Sequence, residues 1–178
     1  NAPFIVELTL RESNVRGDIS ALNAPALAYL DLRDTAVSGD LTALDAAGLT
    51  YLDLRGTAVV GDIAQFEAPL LTELYLDRTG ISGNVGNIRI PAARVLTLRE
   101  TQVEGDINGI SGMSGLWELD LSFTNVSGRI SNWSGSWVHL RWIDLQCTDV
   151  VPANAQARNW LLSINRNWDS QEGCFSPD

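Results

Sequence analysis

Leu27-Ala28-Tyr29-Leu30-Asp31-Leu32-Arg33-Asp34-Thr35-Ala36-Val37-Ser38-Gly39-Asp40-Leu41 returns 22 residues later as Leu49-Thr50-Tyr51-Leu52-Asp53-Leu54-Arg55-Gly56-Thr57-Ala58-Val59-Val60-Gly61-Asp62-Ile63. Outward from this pair the same phrase recurs along the chain. Leu10, Leu32, Leu54, Leu76, Leu98, Leu121 and Leu145 each open L-x-x-T-x-V-x-G-D-I or a close variant. The steps are 22, 22, 22, 22, 23 and 24 residues. A period of that size specifies a solenoid, in which each unit buries its apolar side only against its neighbours.

Stacking lines up equivalent residues. Ile5-Val6-Glu7-Leu8-Thr9-Leu10 and its counterparts alternate with period two, so each unit contributes one half-buried strand to a parallel sheet. Leucines face the core, and the Tyr, Glu, Thr and Asp positions are expected to face solvent. Val15, Val37, Val59, Ile81, Val103, Val126 and Val150 form a second apolar column. Gly17, Gly39, Gly61, Gly83, Gly105 and Gly128 are expected to mark a turn that needs positive φ or a close approach. About eight residues per unit remain for the far side, many of them Ala, Pro, Gly or Ser; extended segments and short turns fit there and long helices do not.

The chain has 178 residues, 45% of them hydrophobic, enough for one domain with a sizeable core. Net charge is −10, and every basic residue is Arg. An acidic body argues against binding the phosphate backbone of nucleic acids, because that affinity comes from Lys and Arg neutralising phosphates. It argues equally against docking on anionic membranes. No apolar run approaches the ~20 residues that span a bilayer, so membrane insertion is not expected. Asn1 stands almost directly on the first unit, with no basic stretch ahead of an apolar one, so any secretory leader is expected to have been removed or never present.

The pattern resembles the leucine-rich repeat family, whose consensus is L-x-x-L-x-L followed by Asn or Cys. The V-x-G-D-I stretch resembles the L-x-G-x-I-P segment of the plant-type subclass, seen in receptor-kinase ectodomains and polygalacturonase-inhibiting proteins. The resemblance covers roughly residues 4–151. Thr replaces the ladder Asn, no Pro follows the Ile, and no N-terminal Cys pair is present. The resemblance implies an α/β solenoid, mostly β. Its elements are a right-handed superhelix, a parallel sheet on the concave face, short turns on the convex face and a C-terminal capping helix. The expected organisation is seven leucine-rich repeats over 1–151 and a cap over 152–178.

At the C-terminal end, Pro152 is placed to start a helix. Ala157, Trp160, Leu161, Ile164 and Trp168 would share one of its faces. Cys147 and Cys174 are too few for a zinc site. Two readings stand. A disulfide would close a loop of 27 positions, contribute about 3.5 kcal/mol on the chain-entropy view, and imply an oxidising compartment. The alternative is two free thiols. No amphipathic cap is visible ahead of the first strand, whose bare edge would be a pairing template; the expectation is that either a cap is missing from this stretch of chain or something else covers the edge on assembly.

Residues for chemistry are scarce. His139 stands without a placed nucleophile or carboxylate, and no nucleophile elbow, zincin, phosphate-loop or EF-hand motif occurs. No catalysis, cofactor or metal is expected. Asp18, Asp40, Asp62 and Asp106, with Asn84 among them, would stack ~5 Å apart and repel unless turn N–H groups cap them. A calcium ladder is the sharper reading, but Asn84 and Arg129 break the series. The Thr column is expected to point inward, with each hydroxyl bonded to the backbone of the next unit.

The sheet face is the best candidate site. Tyr29, Asp31, Arg33, Tyr51, Asp53 and Arg55 repeat on it, Tyr75 and Asp77 (with Glu73) continue the columns, and Trp142 joins Glu118, Asp120 and Asp144 toward the far end. Tyr and Arg are enriched at binding hot spots. Asn125 and Asn132 head N-x-S sequons. The expected function is that of a non-catalytic, secreted or cell-surface recognition module that binds a protein or glycan. One alternative is a structural subunit of an extracellular fibre or coat, self-associating through the N-terminal edge. Another, carried by the family resemblance alone, is an inhibitor of a secreted enzyme.

Overall fold

A computed structural model describes residues 4–131, 136–169 and 174. The strands fall in two parallel sheets. The front sheet holds β1 (Glu7–Thr9), β3 (Tyr29–Asp31), β5 (Tyr51–Asp53), β7 (Glu73–Tyr75), β9 (Val95–Thr97), β11 (Glu118–Asp120) and β13 (Trp142–Asp144). The back sheet holds β2 (Arg16–Asp18), β4 (Ala36–Asp40), β6 (Ala58–Asp62), β8 (Gly80–Asn84), β10 (Gln102–Asp106), β12 (Asn125–Ile130) and β14 (Asp149–Pro152). In each sheet neighbours are successive repeats, and the register sets like against like: Leu30 pairs with Leu52, Leu52 with Leu74 and Leu74 with Leu96. The core is the stack of Leu, Ile and Val between the two sheets. Leu30, Leu52, Leu54, Val59, Ile63, Leu74, Leu76 and their successors are fully buried in it.

The back sheet is the main departure from the sequence reading. Its V-x-G-D stretch alternates too weakly to read as a strand, because Gly and small residues fill the outward positions. The glycines lie inside these strands rather than in turns, at φ between 103° and 143°. From the second repeat on, their reason is contact. A Cβ on Gly39, Gly61, Gly83 or Gly128 would collide with the carboxylate of the Asp one repeat earlier, and on Gly105 with the Asn84 amide. That Asp or Asn is the N-cap of a short 3-10 turn. Asp18, Asp40, Asp62, Asn84 and Asp106 accept from the backbone N–H two residues on, at 2.8–2.9 Å. The repulsion expected along the acidic column is offset by this capping.

Each passage from the front sheet to the back turns on one residue in the left-handed region. These are Glu12, Asp34, Gly56, Arg78, Glu100, Phe123 and Cys147, with φ of 53–66°. The threonine that follows is tied down, but not as expected. Thr35, Thr57, Thr79, Thr101 and Thr124 are buried, and each hydroxyl donates to the carbonyl three residues back in its own repeat, at 2.6–2.7 Å. The turn at positive φ just ahead of each threonine brings that carbonyl within reach of its hydroxyl.

At the C-terminal end Pro152 does not open the helix. It closes β14, the outermost strand of the back sheet, pairing with Ile130; an edge strand tolerates a residue with no N–H. The helix α1 (Ala155–Ile164) begins after Asn154, whose side chain accepts from Ala157 N–H at 2.9 Å. Ala157 and Leu161 are buried against the last repeat, and Trp168 behind them is 1% exposed. Cys147 and Cys174 are joined, with Cα atoms 5.3 Å apart. The N-terminal end is open. Phe4 is 91% exposed, Val6 and Leu10 are exposed, and a hollow lined by Leu8, Val15, Ile19 and Leu22 faces outward.

Candidate functional site

The front sheet displays three columns. The first runs Glu7, Tyr29, Tyr51, Glu73, Val95, Glu118, Trp142; the second runs Thr9, Asp31, Asp53, Tyr75, Thr97, Asp120, Asp144. Two residues further along each repeat come Arg11, Arg33, Arg55, Asp77, Arg99, Ser122 and Gln146. The columns continue through the fourth repeat, but their chemistry changes there. Glu73 pairs with Tyr51 and Tyr75 with Asp53, while Asp77 stands in the arginine column. The residues expected to cluster therefore share one face.

Not all of them reach its surface. Asp31 and Asp53 are 1% and 0% exposed, which corrects the expectation that they face solvent. The longer Tyr and Arg side chains cover them. Each Asp of this column turns a carboxylate oxygen to the backbone N–H two residues on: Arg33 at 3.2 Å, Arg55 at 3.1 Å, Ser122 at 2.9 Å and Gln146 at 3.0 Å. These aspartates cap the exits of the strands. A D-L-x pattern alone does not distinguish an outward acid from one folded back on its own chain.

Above this layer lies an aromatic and cationic one. The Tyr29 and Tyr51 rings stack with centroids 4.1 Å apart and planes within 8°, and Tyr75 tilts against Tyr51 at 5.5 Å. Tyr75 donates to Glu73 at 2.9 Å. Arg55 grips the Asp53 carboxylate through Nε, at 2.9 and 3.1 Å, and through Nη2, while its guanidinium carbon lies 4.7 Å from the centre of the Tyr75 ring. That grip raises the Arg55 pKa, and burial pushes the Tyr51 and Tyr75 hydroxyls up.

Toward the C-terminal end the face turns acidic. Burial raises the pKa of Asp77, Glu118 and Asp144, and that of Asp120 to about 6, against the lowering hydrogen bonds from Ser122. Trp142 is half-buried in this region. Two neighbours were missed in the sequence: Phe123 under Arg99 at 4.7 Å, and the exposed Trp117 beside Arg141 at 5.6 Å. The second pair was legible, because Arg94, Trp117 and Arg141 form a column just ahead of the strands.

Asn125 is exposed at the start of β12 on the back sheet, away from this face; Asn132 lies outside the described residues. Among the described residues no group of three or more His, Cys, Asp or Glu is placed to hold a metal ion, and no helix is long and apolar enough to cross a membrane.

No protein-family model matches the chain, and no curated protein matches it in sequence. Solved structures do match in shape. The plant peptide hormone receptor RGFR1 in complex with RGF2 superposes with a TM-score of 0.61 at 20% identity, over 89% of this chain and 31% of the receptor. The leucine-rich repeat ectodomain of the receptor kinase SOBIR1 from Arabidopsis thaliana gives 0.51 at 22% identity, over 70% and 69%. Internalin C2 from Listeria monocytogenes gives 0.54 at 20% identity, over 88% and 77%. Of three receptors so matched, the chain spans 31%, 23% and 28%. With two seven-stranded parallel sheets in repeat order, the chain has the leucine-rich repeat fold.

Proposed function

We propose that this leucine-rich repeat solenoid is a non-catalytic recognition module, secreted or at the cell surface, that binds a protein or peptide through its front sheet. One observation carries the reading: Tyr29, Tyr51 and Tyr75 contact one another across three successive strands, with Arg33 and Arg55 beside them, and form an aromatic and cationic layer. Aromatic side chains and Arg are the residues that dominate binding energy in protein interfaces. Two matched structures, the plant peptide hormone receptor RGFR1 in complex with RGF2 and the receptor kinase HAESA in complex with the peptide hormone IDA, support the same reading. A glycan ligand would use the same tyrosines and carboxylates. The disulfide supports an oxidising compartment. The ligand-contacting residues proposed are Tyr29, Arg33, Tyr51, Arg55, Tyr75, Asp77 and Trp142, with Asp31 and Asp53 beneath them.

A displayed peptide library selected on the immobilised chain tests this. Selected peptides should lose at least about tenfold in affinity on Tyr51→Ala with Trp142→Ala, a loss of roughly 1.4 kcal/mol or more. They should keep full affinity on Ser38→Arg with Ser127→Arg, which alter the back sheet. The reverse pattern would move the binding face to the back sheet.

Self-association is the second reading, and the open N-terminal end favours it. Pairing of two such edges through the exposed Phe4, Val6 and Leu10 would give a dimer. Light scattering separates a monomer from that dimer.

A further inference from the structure

We propose that the front face carries a socket for a guanidinium group at Asp31, and that the ligand of this face presents an arginine side chain there. The inference rests on the reading of the front sheet as a binding face and names the chemistry it recognises.

The chain supplies its own example one repeat away. Asp53, directly paired with Asp31 in the front sheet, has its carboxylate held by the fork of Arg55, and Tyr75 gives that guanidinium a ring to lie on. Asp31 has the same place in the repeat and neither partner. The next residue in its column is Asp53, not an aromatic, so Arg33 finds no ring there; its guanidinium lies 3.6 Å from Glu12 instead.

Asp31 Oδ1 accepts from the Arg33 backbone N–H at 3.2 Å. Its Oδ2 is buried and accepts a hydrogen bond from no described residue. The nearest cation is Arg11, whose Nη1 is 3.7 Å away, outside hydrogen-bonding range, on a side chain that is about half exposed. A buried carboxylate oxygen without a donor is a strong, directional demand for one. A planar guanidinium meets it with two N–H groups at once, which an ammonium cannot. The Tyr29 and Tyr51 stack lies alongside, close enough for the Asp31 charge to help raise the Tyr51 hydroxyl pKa. The net charge of −10 favours the approach of a cationic segment.

Arg11 then acts as a displaceable cover. It pairs with Asp31 as an ion at 3.7 Å without a hydrogen bond, and an incoming arginine must push it aside. Removing the cover should therefore tighten binding, an outcome that a purely structural role for Asp31 does not produce.

The probes are the peptide acetyl-Gly-Arg-Gly-amide and its citrulline twin, which keeps the shape and loses the charge. Both are titrated by NMR into wild type, Arg11→Ala, and Arg11→Ala with Asp31→Asn. The Arg peptide should bind Arg11→Ala at least fivefold more tightly than wild type, shifting the Tyr29 and Tyr51 resonances; the citrulline twin should not bind. Adding Asp31→Asn should abolish binding. Arg11 is on the surface, so its removal tests the socket even where the double variant folds poorly. Equal binding of the two peptides to Arg11→Ala, or no saturable binding of the Arg peptide to it, would overturn the socket. The wider reading of the front face stands or falls separately, on the Tyr51 and Trp142 variants.

Discussion

Asp120 shows how much a single residue gives up to lie on this face. Its pKa is raised to about 6 chiefly by burial, well above the ordinary 3.8 of an aspartate. The folded chain therefore holds the proton more tightly than the unfolded one. Stability gained by protonation is present below about pH 4 and is lost as pH rises through 6. Asp77, Glu118 and Asp144 are shifted in the same direction by the same cause. Melting should thus occur at a higher temperature at pH 5 than at pH 7.5. Asp120→Asn keeps an oxygen for the Ser122 N–H and removes the charge. It should raise stability at pH 7.5 by about 1–3 kcal/mol and shrink the pH 5 advantage, both read by thermal denaturation. An unchanged pH profile in that variant would place the proton elsewhere.

Among the elements, the back sheet depends on close approach between adjacent repeats. Gly83 sits at φ 103° against the Asp62 carboxylate, which itself caps a 3-10 turn. Gly83→Ala should cost about 2–4 kcal/mol, from backbone strain together with displacement of a capping acid. In the Asp62→Ala background the added cost should fall, since the obstacle is gone. A double-mutant cycle in urea measures that coupling. These elements also show what the sequence discloses. The front strands were legible because Leu30, Leu32, Leu52 and Leu54 alternate with polar residues at period two. The back strands were not: Ala58-Val59-Val60-Gly61-Asp62 shows no such alternation, and only the register of neighbouring repeats makes it a strand. The face was legible in its composition and misread in its depth. Tyr51 and Asp53 look equivalent on paper, yet the shorter side chain folds onto its own backbone beneath the longer one.

Across the whole molecule, stability is shared between neighbouring coils, so the two ends behave differently. The C-terminal end is closed by α1, Trp168 and the Cys147–Cys174 bond, while Leu8 and Leu10 at the other end are incompletely covered. Amide exchange in the isolated chain should be fastest in β1 and β2 and slow progressively toward β7 and β9. Reduction of the disulfide should add a second fast region at β13 and β14 and leave the middle protected. Uniform exchange along the stack would mean that the coils open as one unit. The fourth repeat extends this independence to the front face. There, tyrosine and aspartate occupy places held elsewhere by aspartate and arginine, while Leu74 and Leu76 stay fully buried. The outer lettering of a single rung can thus be rewritten without disturbing its spine, and on the proposed reading of this face an edited rung would change what is held while the scaffold stays the same.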